Sequence, residues 1–366
     1  MEDPGPPRDR AAPAPEVSGL RRRIGRETDF LRRAVAHPDL FRRRARRAVS
    51  PKVAFLERNH DPDRSLLVAG SARSGTTWLA EVLSETLHGR LLFEPLRAEA
   101  VPQARPVRFG HYLDPDGRSD RAVTEVLDKV MAGRIRGRWI DEYNTARFPR
   151  CRVVKEIRAT NLLPWMVRRY PRTPMVYLLR HPVPSAWSVA QLGWPDNLPQ
   201  FLGQEPLMQG PMAPFGALIR QTADSPDPFL RLVLRWCLEN FVPTQLLSSG
   251  QAHVVFYEHL VDDPRGELVR LSTFLRRFGP GPWDMRLDST GNLDRPSHTN
   301  YRDTDVASGP GRLDDWVGEV PAPRVDAALA LLGGFGLDRV YGDSTRPLIA
   351  PEAVLRGGPA TPPVPG

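Results

Sequence analysis

The chain of 366 residues has only two cysteines, Cys151 and Cys237. Two are too few for a disulfide framework or a cysteine-based metal site, and such scarcity points to a reducing compartment. No apolar run approaches the roughly 18 residues that a bilayer span requires. The apolar runs LLVAG and MVYLL have the length of buried strands. The N-terminus lacks the hydrophobic segment of a signal peptide. Net charge is also missing from most of the chain. Eleven arginines against Glu27, Asp29 and Asp39 between Leu20 and Arg47 account for the whole formal +8, so the remainder balances to zero. That arginine segment has only Phe30 and Phe41 as aromatics, too few for a stacking platform, and no nucleic-acid partner is expected.

What is present sets the organisation. Hydrophobic residues make up 40% of the chain, ample for a buried core, and many of the 39 prolines cluster at the two ends. Residues 1–19 are Pro- and Ala-rich without periodicity and read as disordered. Residues 20–60 read as a basic helical arm, with Ile24, Leu31 and Val35 at helical spacing among arginines. Such an arm could attach to an anionic membrane or an acidic partner. It could equally pack on the domain with a solvated arginine face, which the thinness of its apolar stripe favours. Residues 64–345 read as one α/β domain, and 350–366 as a flexible Pro-rich tail.

Within that domain SLLVAG is a short strand, SARSGTT a turn, and WLAEVLSETL a helix. This is the opening unit of a nucleotide-binding fold. RVVKEI, PMVYLLR and AHVVFYEHL supply further strands, with helical NLLPWMVRRY and SAWSVAQL among them. The pattern predicts a three-layer sandwich, a mostly parallel central sheet flanked by helices. Residues 192–228 read as a long insertion of the kind that lines acceptor sites.

The turn Gly70-Ser-Ala-Arg-Ser-Gly75-Thr-Thr77 has the glycine spacing of a Walker A loop, whose backbone N–H groups and following helix cradle an anion. Its lysine is missing; Thr76 stands there, and Arg73 supplies a cation earlier in the loop. The strand PMVYLLR ends in Arg180 rather than in a carboxylate that could support Mg²⁺. SARSGTTWL resembles the 5′-phosphosulfate loop of the sulfotransferases that use 3′-phosphoadenosine 5′-phosphosulfate (PAPS), with its pattern [KR]-[ST]-G-[TS]-[TS]. The resemblance implies a P-loop-type fold, with Arg73 on the transferred group and Ser74, Gly75, Thr76 and Thr77 on the 5′-phosphate. It implies that Trp78 stacks the adenine, though the same residue reads as a core aromatic at a helix start. Arg180 and Ser188, eight residues apart, are similar to the family's 3′-phosphate pair. A phosphosulfate carries less charge at the transferred group than ATP does, so protein donors can handle it without a metal.

Three further stretches fit. Lys155 lies on the strand between the two sites, YEHLVDDP resembles a structural Y-E-D-L segment, and RPSHTNYRD resembles the loop that closes over the 3′-phosphate. In that loop Arg295, Ser297 and Arg302 are candidate contacts. The likeness runs roughly from Ser65 to Asp343. It departs from the phenol and steroid branch, because Glu156-Ile157 stand where that branch has its catalytic histidine after the lysine. LLFEPLR resembles the F-x-E-P segment of carbohydrate 6-O-sulfotransferases and bacterial relatives, which implies Glu94 as general base. Glu94 could instead cap a loop or pair with Arg97, and Glu156 is a rival base. The expected function is transfer of a sulfuryl group from PAPS, without metal, to a hydroxyl or amine of a carbohydrate, glycolipid or other small acceptor. A P-loop kinase or other NTP-using enzyme, or a non-catalytic nucleotide-binding module, is the alternative. Golgi-lumen members carry a membrane anchor; its absence here, with the Arg-, Pro- and Gly-rich composition, implies a cytoplasmic bacterial enzyme.

Overall fold

Short apolar strands that alternate their faces build the sheet. The computed structural model describes residues 55–117, 120–279, 281–286 and 313–357. Along them run β1 (Ser65–Gly70), α1 (Thr76–Thr86), β2 (Arg90–Phe93), α2 (Arg121–Met131), β3 (Arg152–Glu156), α3 (Leu163–Arg169), β4 (Met175–Leu179) and α4 (Pro182–Gln191). Three short helices follow, α5 (Leu198–Leu202), α6 (Glu205–Gln209) and α7 (Gly216–Ala223). The chain continues with α8 (Pro228–Leu246), β5 (His253–Phe256), α9 (Tyr257–Asp262), α10 (Pro264–Leu275) and α11 (Ala322–Gly334). The strands pair in the order β2-β3-β1-β4-β5, and every pair is parallel.

Successive residues of a strand point to opposite faces, and here each face has its own helical cover. Leu66, Val68, Val153, Val176 and Leu178 pack with Leu79 and Leu83 of α1 and Leu271 of α10. Leu67, Ala69, Val154, Tyr177 and Leu179 pack with Phe241 of α8, Val183 of α4 and Leu332 of α11. Each such side chain contributes roughly 1.5–3 kcal/mol of transfer free energy, set against the entropy of ordering the chain. The fold is therefore the expected three-layer α/β sandwich. All the strands run parallel, so their carboxyl ends, where ligands bind in open α/β sheets, gather along one edge.

Three local expectations change. RLLF forms a strand, β2, that pairs with β3 at the sheet edge. In AHVVFYEHL the strand stops at Phe256, and YEHL turns into α9. The stretch after the insertion forms the 19-residue α8, started by Pro228 and by Asp227, whose side chain accepts from the Phe229 N–H. From Leu232 to Gln245 that helix is buried all round.

At the amino end of the sheet Arg90 and Arg152 sit side by side in register on β2 and β3, both fully buried. Glu57 accepts from each guanidinium at 2.7 Å, and Asp141 takes Arg90 Nε at 2.8 Å. Arg152 also donates to the carbonyls of Asn59 and Asp61. Residues 55–60, expected within a helical arm, are thus an irregular segment locked down by buried ion pairs. The rest of the arm, the Pro/Ala-rich start and residues 358–366 lie outside the described residues. The tail, expected to loosen at 350, stays packed through Val354 and Leu355, which are buried.

Removing one partner of a buried ion pair leaves the other charge uncompensated, at a cost of about 3–5 kcal/mol. Glu57→Gln should lose about that much stability in urea denaturation. Glu99→Gln, which breaks an exposed pair with Arg97, should change it by less than about 1 kcal/mol. Equal effects would remove the structural role given to Glu57.

Candidate active site

The loop after β1 is shaped by conformation rather than by sequence bulk. Gly75 takes φ 91° at the N-cap of α1, and an added Cβ would come within 2.7 Å of Tyr257. A Cβ on Gly70 would meet the Leu178 carbonyl at 2.4 Å. Arg73 is itself left-handed, with φ 67°. For a side chain with a Cβ this costs of order 1–3 kcal/mol and persists only where surrounding contacts impose it. Arg180 Nη1 supplies such a contact, donating to the Arg73 carbonyl at 2.7 Å. From beneath, Asn240 of α8 donates to Ser71 Oγ at 2.9 Å and accepts from Tyr177 Oη at 2.8 Å.

The two predicted motifs meet here. Arg73 Nε donates to Ser188 Oγ at 3.1 Å, and the Arg180 guanidinium stacks on the Tyr257 ring at 4.2 Å. Helix α4 begins at Pro182, capped by His181, so Ser188 lies nearly two turns into it. Gly75, Thr76 and Thr77 line a cavity of about 500 Å³ together with Arg73, Arg180 and Ser188. Ser74 differs: its hydroxyl turns inward and donates to the Ser71 carbonyl at 2.6 Å, leaving only its backbone for a ligand. Trp78 packs in the core of the α1 face and also lines the cavity. Arg295, Ser297 and Arg302 lie outside the described residues.

Glu94 stands at the carboxyl end of β2, left-handed at φ 43°. Its N–H donates to the Lys155 carbonyl at 2.9 Å, and its own carbonyl accepts from Arg97 N–H and from Trp139 Nε1. The carboxylate is buried between two cations. Lys155 Nζ meets Oε1 at 2.5 Å and Arg158 Nη1 meets Oε2 at 3.0 Å. Burial pushes this carboxyl up, but Lys155 and Arg158 outweigh burial and hold it at about 2. Arg97 stacks on Trp139 and pairs with Glu99, so the pairing of Glu94 with Arg97 considered from the sequence is replaced by pairing with Lys155 and Arg158.

Glu156, the rival base, is a structural anchor. Its Oε2 accepts from Leu96 N–H at 2.8 Å, and its Oε1 accepts from Ile157 N–H, Arg158 N–H and Arg158 Nη1. It is 1% exposed and does not reach the cavity, whereas Glu94 lines it. The insertion supplies Trp194, Pro195, Asn197 and Gln200 to the cavity wall, as expected of it, facing Phe109 and Trp139. The sequence reading passed over Arg158, Trp139 and Tyr257. For Arg158 the signal was its place three residues after Lys155, at a strand's carboxyl end.

No protein-family model matches the chain, and no match is found among curated proteins. Two of the solved structures that show a faint likeness are sulfotransferases. The sulfotransferase domain from the curacin biosynthetic pathway is 15% identical, with a TM-score of 0.37 over 74% of this chain and 96% of that one. A sulfotransferase from Alicyclobacillus acidocaldarius is 16% identical, with a TM-score of 0.31 over 76% of this chain and 97% of that one.

A depressed carboxyl stabilises the fold above its unfolded value of 4.5, and that stability is lost as pH falls through the folded value of about 2. Glu94→Gln should therefore be less stable than the unaltered protein at neutral pH, with the gap narrowing below about pH 4.5. Urea denaturation at several pH values reads this directly. A gap that stays constant to pH 3 would mean Glu94 is not the ion-paired group described.

Proposed function

We propose that the chain transfers a sulfuryl group from PAPS to a hydroxyl or amine of a small acceptor, with carbohydrates and glycolipids as the first acceptor class to test. The observation that carries this reading is the junction of the two motifs. Arg73 of the glycine loop touches Ser188, and Arg180 fastens Arg73 from the other side. A guanidinium and a hydroxyl set beside a left-handed glycine loop form one anion-binding device with places for two separate phosphates. A kinase loop would carry lysine where Thr76 stands, and a carboxylate near the place of Arg180.

The residues fit such a donor. The loop N–H groups and the start of α1 would hold the 5′-phosphate, and Arg180 with Ser188 the 3′-phosphate. The donor supplies an activated sulfuryl group; the chain supplies position and charge. Arg73 and Lys155 stabilise the negative charge that grows on the leaving phosphate, by dipoles and cations already in place. Arg73 cannot act as an acid, because guanidinium keeps its proton. Glu94 takes the proton of the acceptor as its oxygen attacks sulfur. Held at about 2 it would be a weak base. When Lys155 turns from Glu94 to the donor, Glu94 loses one of its two cations and its proton affinity rises at the moment of use.

Two measurements test the reading. The nucleotide product 3′-phosphoadenosine 5′-phosphate should bind in excess EDTA and far more tightly than ATP. Calorimetry that finds Mg·ATP the tighter ligand would favour the kinase. Arg180→Ala should weaken binding of the nucleotide by roughly 2–4 kcal/mol, the scale for losing one partner of a buried charge-assisted contact. It should also erase the preference over the analogue lacking the 3′-phosphate. If that preference survives, the 3′-phosphate lies elsewhere.

A further inference from the structure

Two cations hold Glu94, and their attachments differ. Lys155 reaches Oε1 by one contact at the end of a flexible stem, with its ammonium over the Phe93 ring. Arg158 is tied at both sides. Its Nη1 lies 3.0 Å from Glu94 Oε2 and 3.3 Å from Glu156 Oε1. Its guanidinium rests against the Phe109 ring at 5.3 Å, and Phe109 N–H is fastened to Gln200 Oε1 at 2.6 Å. Glu156 in turn is immobilised by the three backbone N–H groups of Leu96, Ile157 and Arg158.

Resting on the sulfuryl-transfer reading, we propose that Arg158 is its positioning residue: anchored on Glu156, it keeps Glu94 Oε2 in place while Lys155 leaves, so that Oε1 alone faces the acceptor. The arrangement balances charge through the step. As the acceptor oxygen bonds to sulfur, its proton passes to Glu94 Oε1, and the electron pair of the breaking S–O bond goes to the phosphate oxygen beside Arg73 and Lys155. Glu94 becomes neutral, yet Arg158 still faces the Glu156 carboxylate, so no buried guanidinium is left unpaired. One arginine shared by two carboxylates does what a single ion pair could not. The charged groups facing Glu94 are Lys155, Arg158 and Glu156, from β3 and the turn after it.

The test does not need the acceptor. In donor-free Lys155→Met, which imitates the departed lysine, the Glu94 carboxylate is followed by its ¹³C shift against pH and assigned by its loss in Lys155→Met/Glu94→Gln. Adding Arg158→Met to Lys155→Met should raise its midpoint by about one unit or more, the scale for losing a neighbouring opposite charge. Arg158→Lys, which keeps the charge, should fall between. In parallel, release of inorganic sulfate from PAPS to water is measured against pH in protein with Lys155 intact. Arg158→Met should move the acidic limb upward and lower the plateau at least several-fold, while binding of 3′-phosphoadenosine 5′-phosphate stays unchanged. Should Arg158→Met misfold, Arg158→Lys alone carries both readouts. An unmoved midpoint, or a lower plateau with an unmoved limb, overturns the positioning role while leaving the transfer reading intact. Wild-type protein that neither binds the nucleotide nor releases sulfate overturns the transfer reading, and this inference with it.

Discussion

Lys155 is 3% exposed, and a buried ammonium must find a carboxylate. That requirement organises the carboxyl edge of the sheet. β3 places Lys155 in register with Phe93 at the end of β2, so the carboxylate that meets it has to come from the next residue along. Glu94 can turn back only by adopting a left-handed backbone. Three contacts impose that turn: its N–H on the Lys155 carbonyl, and its own carbonyl under Arg97 N–H and Trp139 Nε1. The strain thus falls at a residue that lines the cavity, and such conformations cluster at functional sites.

The opposite edge solves a similar problem differently. Arg90 and Arg152, one residue into each of two neighbouring strands, are neutralised by Glu57 and Asp141 and saturated by backbone carbonyls. Both groups stay fully engaged. At the carboxyl edge Lys155 meets the Glu94 carboxylate through one terminal ammonium, and that carboxylate lines a cavity. The same sheet therefore carries a multiply bonded arginine cluster at one end and a singly bonded lysine at the other. Arginine's fixed fork suits the first and lysine's rotatable point charge the second.

The parts of the molecule readable from sequence were those with local signatures. β1 and β4 are short apolar runs flanked by turn residues, β3 carries a β-branched Val-Val pair, and the glycine loop announces itself by spacing. β2 is four residues long and follows a helix with only Leu87, His88 and Gly89 between, too brief for a period to show. In α8 every side is buried from Leu232 to Gln245, with Arg235, Glu239 and Asn240 among the apolar residues, so the amphipathic pattern that marks a surface helix is absent. YEHL has strand-like residues, but Glu258 accepts from His181 N–H and from Tyr341 Oη, and that buried pairing needs α9 rather than a longer β5. The position of Arg158 after Lys155 marks it at the strand's end, but its pairing with Glu94, sixty-four positions away, leaves no local pattern.

The same dependence explains why the two anion motifs mean more together than apart. A glycine loop between strand and helix can arise for packing alone, and an arginine after a strand is usually a surface residue. Here Arg180 imposes the left-handed turn at Arg73, and Arg73 orients Ser188, while Trp236 of α8 donates to the Arg180 carbonyl at 3.1 Å. Each residue is held by one that the other motif supplies. On the proposed transfer reading, a site whose 5′ and 3′ anion contacts position one another would respond to both ends of a bisphosphorylated nucleotide as a unit, as a loop built for a single polyphosphate would not.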